Sequence, residues 1–426
     1  MKLTVIGGGS TYTPELVSGV LARIDRVPCD AIALVDPDRE RLEILGAFVR
    51  RMVRRHGLDI DVTWGSDLDV GAAGSDFVIS QIRVGGQGAR ERDEQLGRQF
   101  GLIGQETVGV GGFAKALRTI PVALAIDSTI AEVAPGATLL NFTNPAGLVS
   151  EALSRHGRTP TLGLCNVPWN FRAAIASALE VPVDVVSLTS VGLNHLSWIT
   201  GVDAAGEDRT TEVVEGAVRR AERAVARGHR PEFEPDLLRS FAALPNPYVR
   251  YYTDPTRVLE EQATKPTRAS EVAAIEAALL ERYRDPNLDT PPPELAQRGG
   301  AHYSEAAAAL IADLVQSDGT RHVVNVTNRG ALIDLDDDSV IEVACDLDGG
   351  QATPIPIGAT PPSMATLVGQ VKEFEQLTVR AAVEGDPDLA VTALRANPLG
   401  PRPVDARSVW DRLREVNRGM LGALDG

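Results

Sequence analysis

Two short apolar runs each end on a side chain that can ligate a metal. Residues 161–164 lead into Cys165 and Asn166, and residues 186–193 lead into Asn194 and His195. If both runs are parallel strands of one sheet, their C-terminal ends share the edge at which open α/β sheets bind ligands. Cys165, Asn166, Asn194 and His195 then converge on one point. A thiolate with an imidazole can hold a divalent transition metal. A buried thiol and a hydrogen-bonded core histidine would give the same pattern, because free cysteine is often simply core.

Other stretches are denser in polar groups than a core requires. Residues 81–94, QIRVGGQGARERDE, could aim Arg90 into a site, or be the start of a solvated helix. Asn141 and Asn144, in NFTNP, are carboxamides able to orient a sugar hydroxyl or phosphate, or to cap the next turn. Residues 247–252 hold Tyr248, Tyr251 and Tyr252, three of only six tyrosines in the chain. Tyr251 and Tyr252 read as aromatic packing. Arg268 sits in TRASE, a helix start.

The elements that must position these groups begin with a strand over Lys2–Ile6, followed by Gly7, Gly8, Gly9, Ser10 and Thr11. Thr13, Pro14 and Glu15 then read as an N-cap, a first-turn proline and a first-turn acid. Leu16, Val17, Val20, Leu21 and Ile24 continue at helical spacing. A second strand, Ala31–Val35, ends at Asp36, placed to accept hydrogen bonds from a ribose diol. Gly7 and Gly9 fit the first two glycines of G-x-G-x-x-G, but Tyr12 occupies the third position. Strand, helix and terminal acid together favour dinucleotide binding over a plain tight turn. Asp36 favours NAD over NADP, with Arg39 nearby as a counter-signal. A strand over 76–82 runs into a glycine loop whose Arg83 and Gly85 are further candidate cofactor contacts, and another strand covers 138–143. This alternation predicts an α/β fold: a Rossmann-like, doubly wound and mostly parallel sheet over residues 1–195, with helices on both faces. Residues 196–426 change character and read as a mixed α+β substrate or catalytic domain. Its expected elements are a hairpin turn at 202–206, helices over 211–227, 269–283 and 305–316, and strands near 322–328 and 340–345. A glycine-bearing loop is expected at 297–304 and a proline-rich connection at 354–362.

The chain has 426 residues and a net charge of 42 − 58 = −16. That balance argues against nucleic acid and anionic membrane as partners, but not against a small anion met by arginines gathered in one pocket. No apolar run reads as long enough to span a bilayer, and the N-terminus lacks the apolar region of a signal peptide. Three cysteines are too few for a disulfide framework, so a cytoplasmic setting with Cys165 reduced is expected.

Taken together, the stretches resemble glycoside hydrolase family four, the NAD- and metal-dependent glycosidases, and within it the branch acting on β-linked 6-phosphoglucosides. Eight collinear segments carry the resemblance: IGGGSTYTPEL at 6–16, QIRVGGQGARERDEQ at 81–95, GLIGQETVGVGGF at 101–113, NFTNPAG at 141–147, GLCNVP at 163–168, GLNHLSW at 192–198, NPYVRYY at 246–252 and RGGAHYS at 298–304. The resemblance implies that Cys165 and His195 hold a divalent metal, usually manganese. It implies Tyr248 as the base for the C2 proton, and substrate contacts from Arg90, Asn144 and Arg268. Asn166 is also placed at the substrate, and stands where the α-specific branch has an aspartate, which leaves the leaving-group acid unassigned. The implied reaction is hydrolysis by transient C3 oxidation with NAD, C2 deprotonation, elimination of the C1 substituent, water addition and re-reduction. The implied partners are a phosphorylated disaccharide or β-glucoside and a second copy of the chain, as homodimer or homotetramer. Thiolate on manganese is not what ligand hardness predicts, so the metal's identity rests on the resemblance. Three other readings are a relative acting on α-linked or unphosphorylated glycosides, an NAD-dependent 2-hydroxy-acid dehydrogenase, and a non-catalytic sensor. The dehydrogenase gives no account of Cys165 beside a metal-type histidine.

Overall fold

The computed structural model describes residues 1–298, 303–316, 320–348 and 350–425. Six parallel strands form its centre: β1 (Lys2–Ile6), β2 (Ala31–Val35), β3 (Asp61–Gly65), β4 (Phe77–Ser80), β5 (Thr138–Asn141) and β6 (Thr161–Gly163). Strands covered on both faces are apolar throughout, and β1, β2 and β4 are buried at nearly every position. β3 escapes a reading of apolar runs because it is an edge strand, DVTWG, with mostly exposed or half-buried positions. The spatial order 3-2-1-4-5-6 reverses direction between β1 and β4. That is where this topology leaves a crevice outside the carboxyl ends of the strands.

The sheet does not stop at β6. β11 (Arg321–Thr327) pairs with it antiparallel, Asn325 opposite Gly163, and β12 (Val340–Asp348) and β13 (Gln351–Pro354) continue outward to nine strands. A second sheet holds β7 (Val186–Leu193), β8 (Leu196–Ala204), β9 (Glu207–Asp208) and β10 (Leu244–Pro245), all antiparallel. The expectation that residues 186–193 lie parallel to the Cys165 strand is therefore corrected. β7 folds back on β8 as a hairpin, and its apolar character reflects burial between the two sheets, which periodicity alone cannot distinguish from a parallel strand.

The first helix is Thr13–Leu21, so Tyr12, not Thr13, occupies the cap position, without a side-chain cap bond. Tyr12 replaces the third glycine without obstructing the sheet. Its ring meets Tyr303 edge-on at 6.0 Å and its hydroxyl donates to Glu15 Oε1 at 3.0 Å. Other bounds shift by a few residues: the helices start at Thr210, Arg268 and Tyr303. Of the loop expected at 297–304, residues 299–302 lie outside the described residues. The helix Gly109–Val133 corrects the bilayer reading: by length and composition it could cross a membrane. Here 72% of its most apolar window is buried, packed against the helix Pro362–Glu384 and its neighbours.

Candidate active site

A cavity of about 890 Å³ opens at the switch between β1 and β4 and runs from the glycine turn to the β7–β8 hairpin. At one end lie Gly7, Gly9, Ser10 and Asp36. Gly7 has φ +83°, and a Cβ there would sit 2.8 Å from the Gln81 carbonyl oxygen. A Cβ on Gly9 would sit 2.9 Å from the Asp36 carboxyl carbon. Both positions thus require glycine for the chain to turn and for a ligand to approach the backbone. Asp36 accepts from the N–H groups of Gly9 (3.0 Å) and Asp38 (2.9 Å), and burial pushes its carboxyl up against those bonds. The arginine on the cavity wall here is Arg41, not Arg39; its Nε donates to the Gly9 carbonyl at 2.9 Å. Two expected contacts are absent from the wall. Thr11 is buried, its carbonyl accepting the Tyr283 hydroxyl, and Gly85 caps the helix Gly86–Gln99 on its exposed side.

At the other end, His195 stands at the tip of the β7–β8 hairpin in a left-handed conformation, φ +62°. Its imidazole lies flat on the Tyr248 ring, centroids 3.8 Å apart and planes 2° from parallel. Burial pulls the imidazole pKa down to about 3, so it is neutral and its lone pair is free for a cation. Cys165 ends β6 as the cap of the helix Asn166–Leu179 and lies behind the cavity surface, lining a small cleft with Trp169 and His322. Burial and the Glu342 carboxylate push its thiol up, while the Asn194 carboxamide hydrogen-bonds to the sulfur. Cys165, Asn194 and His195 are therefore brought together, although by two sheets meeting rather than by neighbouring parallel strands. Among the described residues no three His, Cys, Asp or Glu side chains gather as a metal cage. A thiol and a neutral imidazole fit a metal that keeps open positions for a substrate.

Between the two ends the wall is cationic. Glu106 is clasped by Arg83, by Lys115 at 2.7 Å and by Arg90 at 3.1 Å. Burial opposes its ionisation, but the three cations hold its carboxyl well below the usual range. Burial, with Arg83 beside it, pulls the Lys115 ammonium down to about 7. Arg90 also pairs with Glu94 at 2.7 Å. Asn144 reaches the cavity with a buried Oδ1 that has no partner among the described residues, and Asn166 lines the cavity nearby. Arg268 is exposed at the rim, bonded to Glu271 and to the carbonyls of Gln297 and Arg298. Sequence reasoning missed Glu106, Lys115, Glu276, Arg298 and Glu342. Glu106 lies inside GLIGQETVGVGGF and Arg298 opens RGGAHYS, and each gave that signal alone; Lys115, Glu276 and Glu342 stand in helices or a strand whose local pattern is ordinary.

The 3-2-1-4-5-6 sheet, its glycine turn and the cavity beyond it define an α/β enzyme of the dinucleotide-binding type. Residues 2–181 match the family 4 glycosyl hydrolase domain, and residues 190–400 match the C-terminal domain of the same family. The chain belongs to family 4 of the glycosyl hydrolases. It is 41% identical to a probable 6-phospho-β-glucosidase of Bacillus subtilis, over 99% of this chain and 97% of that one. It superposes on the 6-phospho-β-glucosidase of Thermotoga maritima, solved with manganese, NAD+ and glucose 6-phosphate, with a TM-score of 0.91 at 37% identity and 98% coverage of both chains. A 6-phospho-α-glucosidase from gut microorganisms, solved with NAD and Mn2+, gives a TM-score of 0.87 at 28% identity, again covering 98% of each chain.

Proposed function

We propose that this chain hydrolyses 6-phospho-β-glucosides to glucose 6-phosphate and an aglycone, using NAD and a divalent metal, manganese. The observation that carries the reading is the His195 imidazole stacked on Tyr248, with Cys165 tied to the same hairpin through Asn194. Cys165 and His195 would hold the metal, and the glycine turn with Asp36 would hold the dinucleotide. When bound, the nicotinamide supplies a reversible hydride acceptor for the sugar C3, and the metal a Lewis acid for the C2 and C3 oxygens.

Tyr248 takes the C2 proton, which lets the C1 substituent leave. Water then adds, and the sugar is released with no net redox change. Desolvation pushes the Tyr248 hydroxyl up, so it can act as a base only against nearby positive charge, which a metal held by the neutral imidazole beneath it would supply. Arg90, Asn144 and Arg268 receive the phosphate and the hydroxyls, with Asn166 beside them; Arg83 and Lys115 add charge to the same wall. The dinucleotide is held by the first half of the chain, while the sugar is met from both, by Arg90, Asn144 and Asn166 before residue 195 and by Tyr248 and Arg268 beyond it. A homodimer or homotetramer in reducing, cytoplasmic surroundings completes the proposal; gel filtration with light scattering tests the first, and cell fractionation the second.

The deciding experiment is hydrolysis of p-nitrophenyl-β-glucoside 6-phosphate by reduced enzyme with and without NAD and manganese. The α-anomer and the unphosphorylated sugar are run alongside. Cleavage of the β-phosphate alone, needing both cofactors and accumulating no NADH at 340 nm, is the expected result. Net NADH from a hydroxy acid, with no glycoside cleaved, would overturn it.

A further inference from the structure

One buried carboxylate is left over by the reading above. Glu342, on β12, is 1% exposed. Its Oε1 accepts from the Ser197 hydroxyl at 2.8 Å, and its Oε2 from the side-chain amides of Asn194 at 2.9 Å and Asn325 at 3.4 Å. All three donors are neutral. No basic side chain pairs with it among the described residues; the buried ammonium of Lys372 is held by Glu151 and Glu375. An unpaired buried carboxylate is costly, so its retention calls for a use.

Its partners indicate the use. Asn194 and Ser197 flank His195 on the hairpin. The Asn194 carboxamide reaches the Cys165 sulfur, and its Oδ1 accepts the Gly147 N–H at 3.3 Å. Ser197 Oγ accepts from Asn246 Nδ2 at 3.2 Å, and Asn246 Oδ1 accepts the Tyr248 N–H at 3.1 Å. Cys165 is thus two hydrogen-bonded steps from this carboxylate and the Tyr248 backbone three, while His195 is the chain neighbour of its first partner, Asn194. The charge is complementary as well. A divalent cation on one thiolate and one neutral imidazole keeps a single positive charge; Glu342, whose carboxyl burial pushes up and whose charge is felt by the Cys165 thiol, is a buried acid that such a cation would hold ionised.

We propose that Glu342 is the positioning residue of this site: through Asn194 and Ser197 it fixes the metal pair and the base relative to one another, and it supplies the counter-charge for the bound cation. This rests on the metal reading given above. The test is a titration of the full-length, reduced enzyme with Mn2+ alone, read by the electron paramagnetic resonance of the free ion, for the wild type, Glu342→Gln, Glu342→Asp and Cys165→Ala. Outer-sphere partners of metal ligands are worth about 10–100-fold in affinity. Glu342→Gln should therefore weaken Mn2+ binding by about that factor while NAD affinity and the metal-free melting temperature hold. Glu342→Asp should recover part of the affinity. At saturating Mn2+, kcat of Glu342→Gln should stay depressed with KM little changed, because Tyr248 is misplaced while the phosphate wall is intact. Wild-type Mn2+ affinity in Glu342→Gln would overturn the proposal. So would a loss of Mn2+ affinity that brings with it the loss of NAD binding and of the melting transition, since Glu342 would then serve the fold at large. Wild-type protein whose Mn2+ binding is indifferent to Cys165→Ala would overturn the metal reading itself.

Discussion

His195 holds a backbone conformation that non-glycine residues avoid at a cost of about 1–2 kcal/mol, and the surroundings hold it there: the hairpin pairing of Leu193 with Leu196 on either side and the flat stack on Tyr248. Removing only the Tyr248 hydroxyl should leave that stack in place. Tyr248→Phe is expected to lower kcat/KM by about 10²–10⁴-fold, the usual worth of a positioned acid–base group. NAD affinity should be unchanged, with both read on the same preparation. Gly9→Ala should act in the opposite way. The new methyl group meets the Asp36 carboxylate and the Arg41 side chain, so NAD affinity, followed by fluorescence titration, should fall at least about tenfold while Mn2+ binding persists. At this scale the sequence was most informative where one residue type is chemically committed: Cys165, His195, Tyr248 and the glycines of the turn all line or adjoin one cavity. Glu342 was invisible. It sits in VIEVACDLD, an otherwise apolar strand, and its meaning comes from Asn194, Ser197 and Asn325, none nearer than 17 residues in the chain.

Among the elements, the helices Ala146–His156 and Pro362–Glu384 are fastened to β12 by a buried ammonium. Lys372 Nζ lies 2.9 Å from Glu151, 2.5 Å from Glu375 and 2.7 Å from the Val340 carbonyl, and Glu151 also accepts the Val340 N–H at 2.7 Å. Lys372→Met leaves the buried Glu375 uncompensated and Glu151 with Arg155 alone, and should destabilise the protein by about 3–5 kcal/mol in denaturant unfolding. Adding Glu375→Gln should restore part of that loss, which would not happen if the lysine stem mattered only for packing. Element by element, five of the six central strands could be read from strand–turn–helix alternation, because burial on both faces makes such strands continuously apolar. What could not be read was partnership. An apolar run reveals a strand without naming its neighbour, so β7 was assigned to the wrong sheet, and nothing in β11, β12 or β13 showed that they extend the first one.

For the molecule as a whole, the net charge of −16 conceals its distribution: the cations Arg83, Arg90 and Lys115 line the inside, and acids dominate outside. The buried acids also set the response to pH. Glu106, Glu151, Glu276 and Asp313 have folded pKa values below their ordinary ones, because in each case paired cations and hydrogen bonds outweigh burial. Their contribution is complete above about pH 4.5 and is lost as pH falls through the depressed values. Self-repulsion eases toward the isoelectric point near 4.9. Ellipticity measured against pH should therefore stay level from 7 to about 5 and then fall steeply below about 4.5. Glu151→Gln should make that fall shallower. Lys115 acts in the same direction over a higher pH range. With its pKa lowered to about 7, the unfolded chain binds the extra proton between there and about 10.5, so the penalty for burying this group fades as pH rises through that range.

The antiparallel pairing of β11 with β6 has a consequence for how such a protein can be divided or recombined. Cut after residue 195, the first half would end in an open strand edge at β6, with Gly163 and its neighbours unsealed, and an unsealed edge pairs with whatever strand is nearest, another copy of itself included. The two halves are therefore not interchangeable modules joined by a linker. A chimera that exchanged the second half for that of a relative would have to bring a strand in register with Gly163, or it would fail by aggregation before its chemistry could be judged.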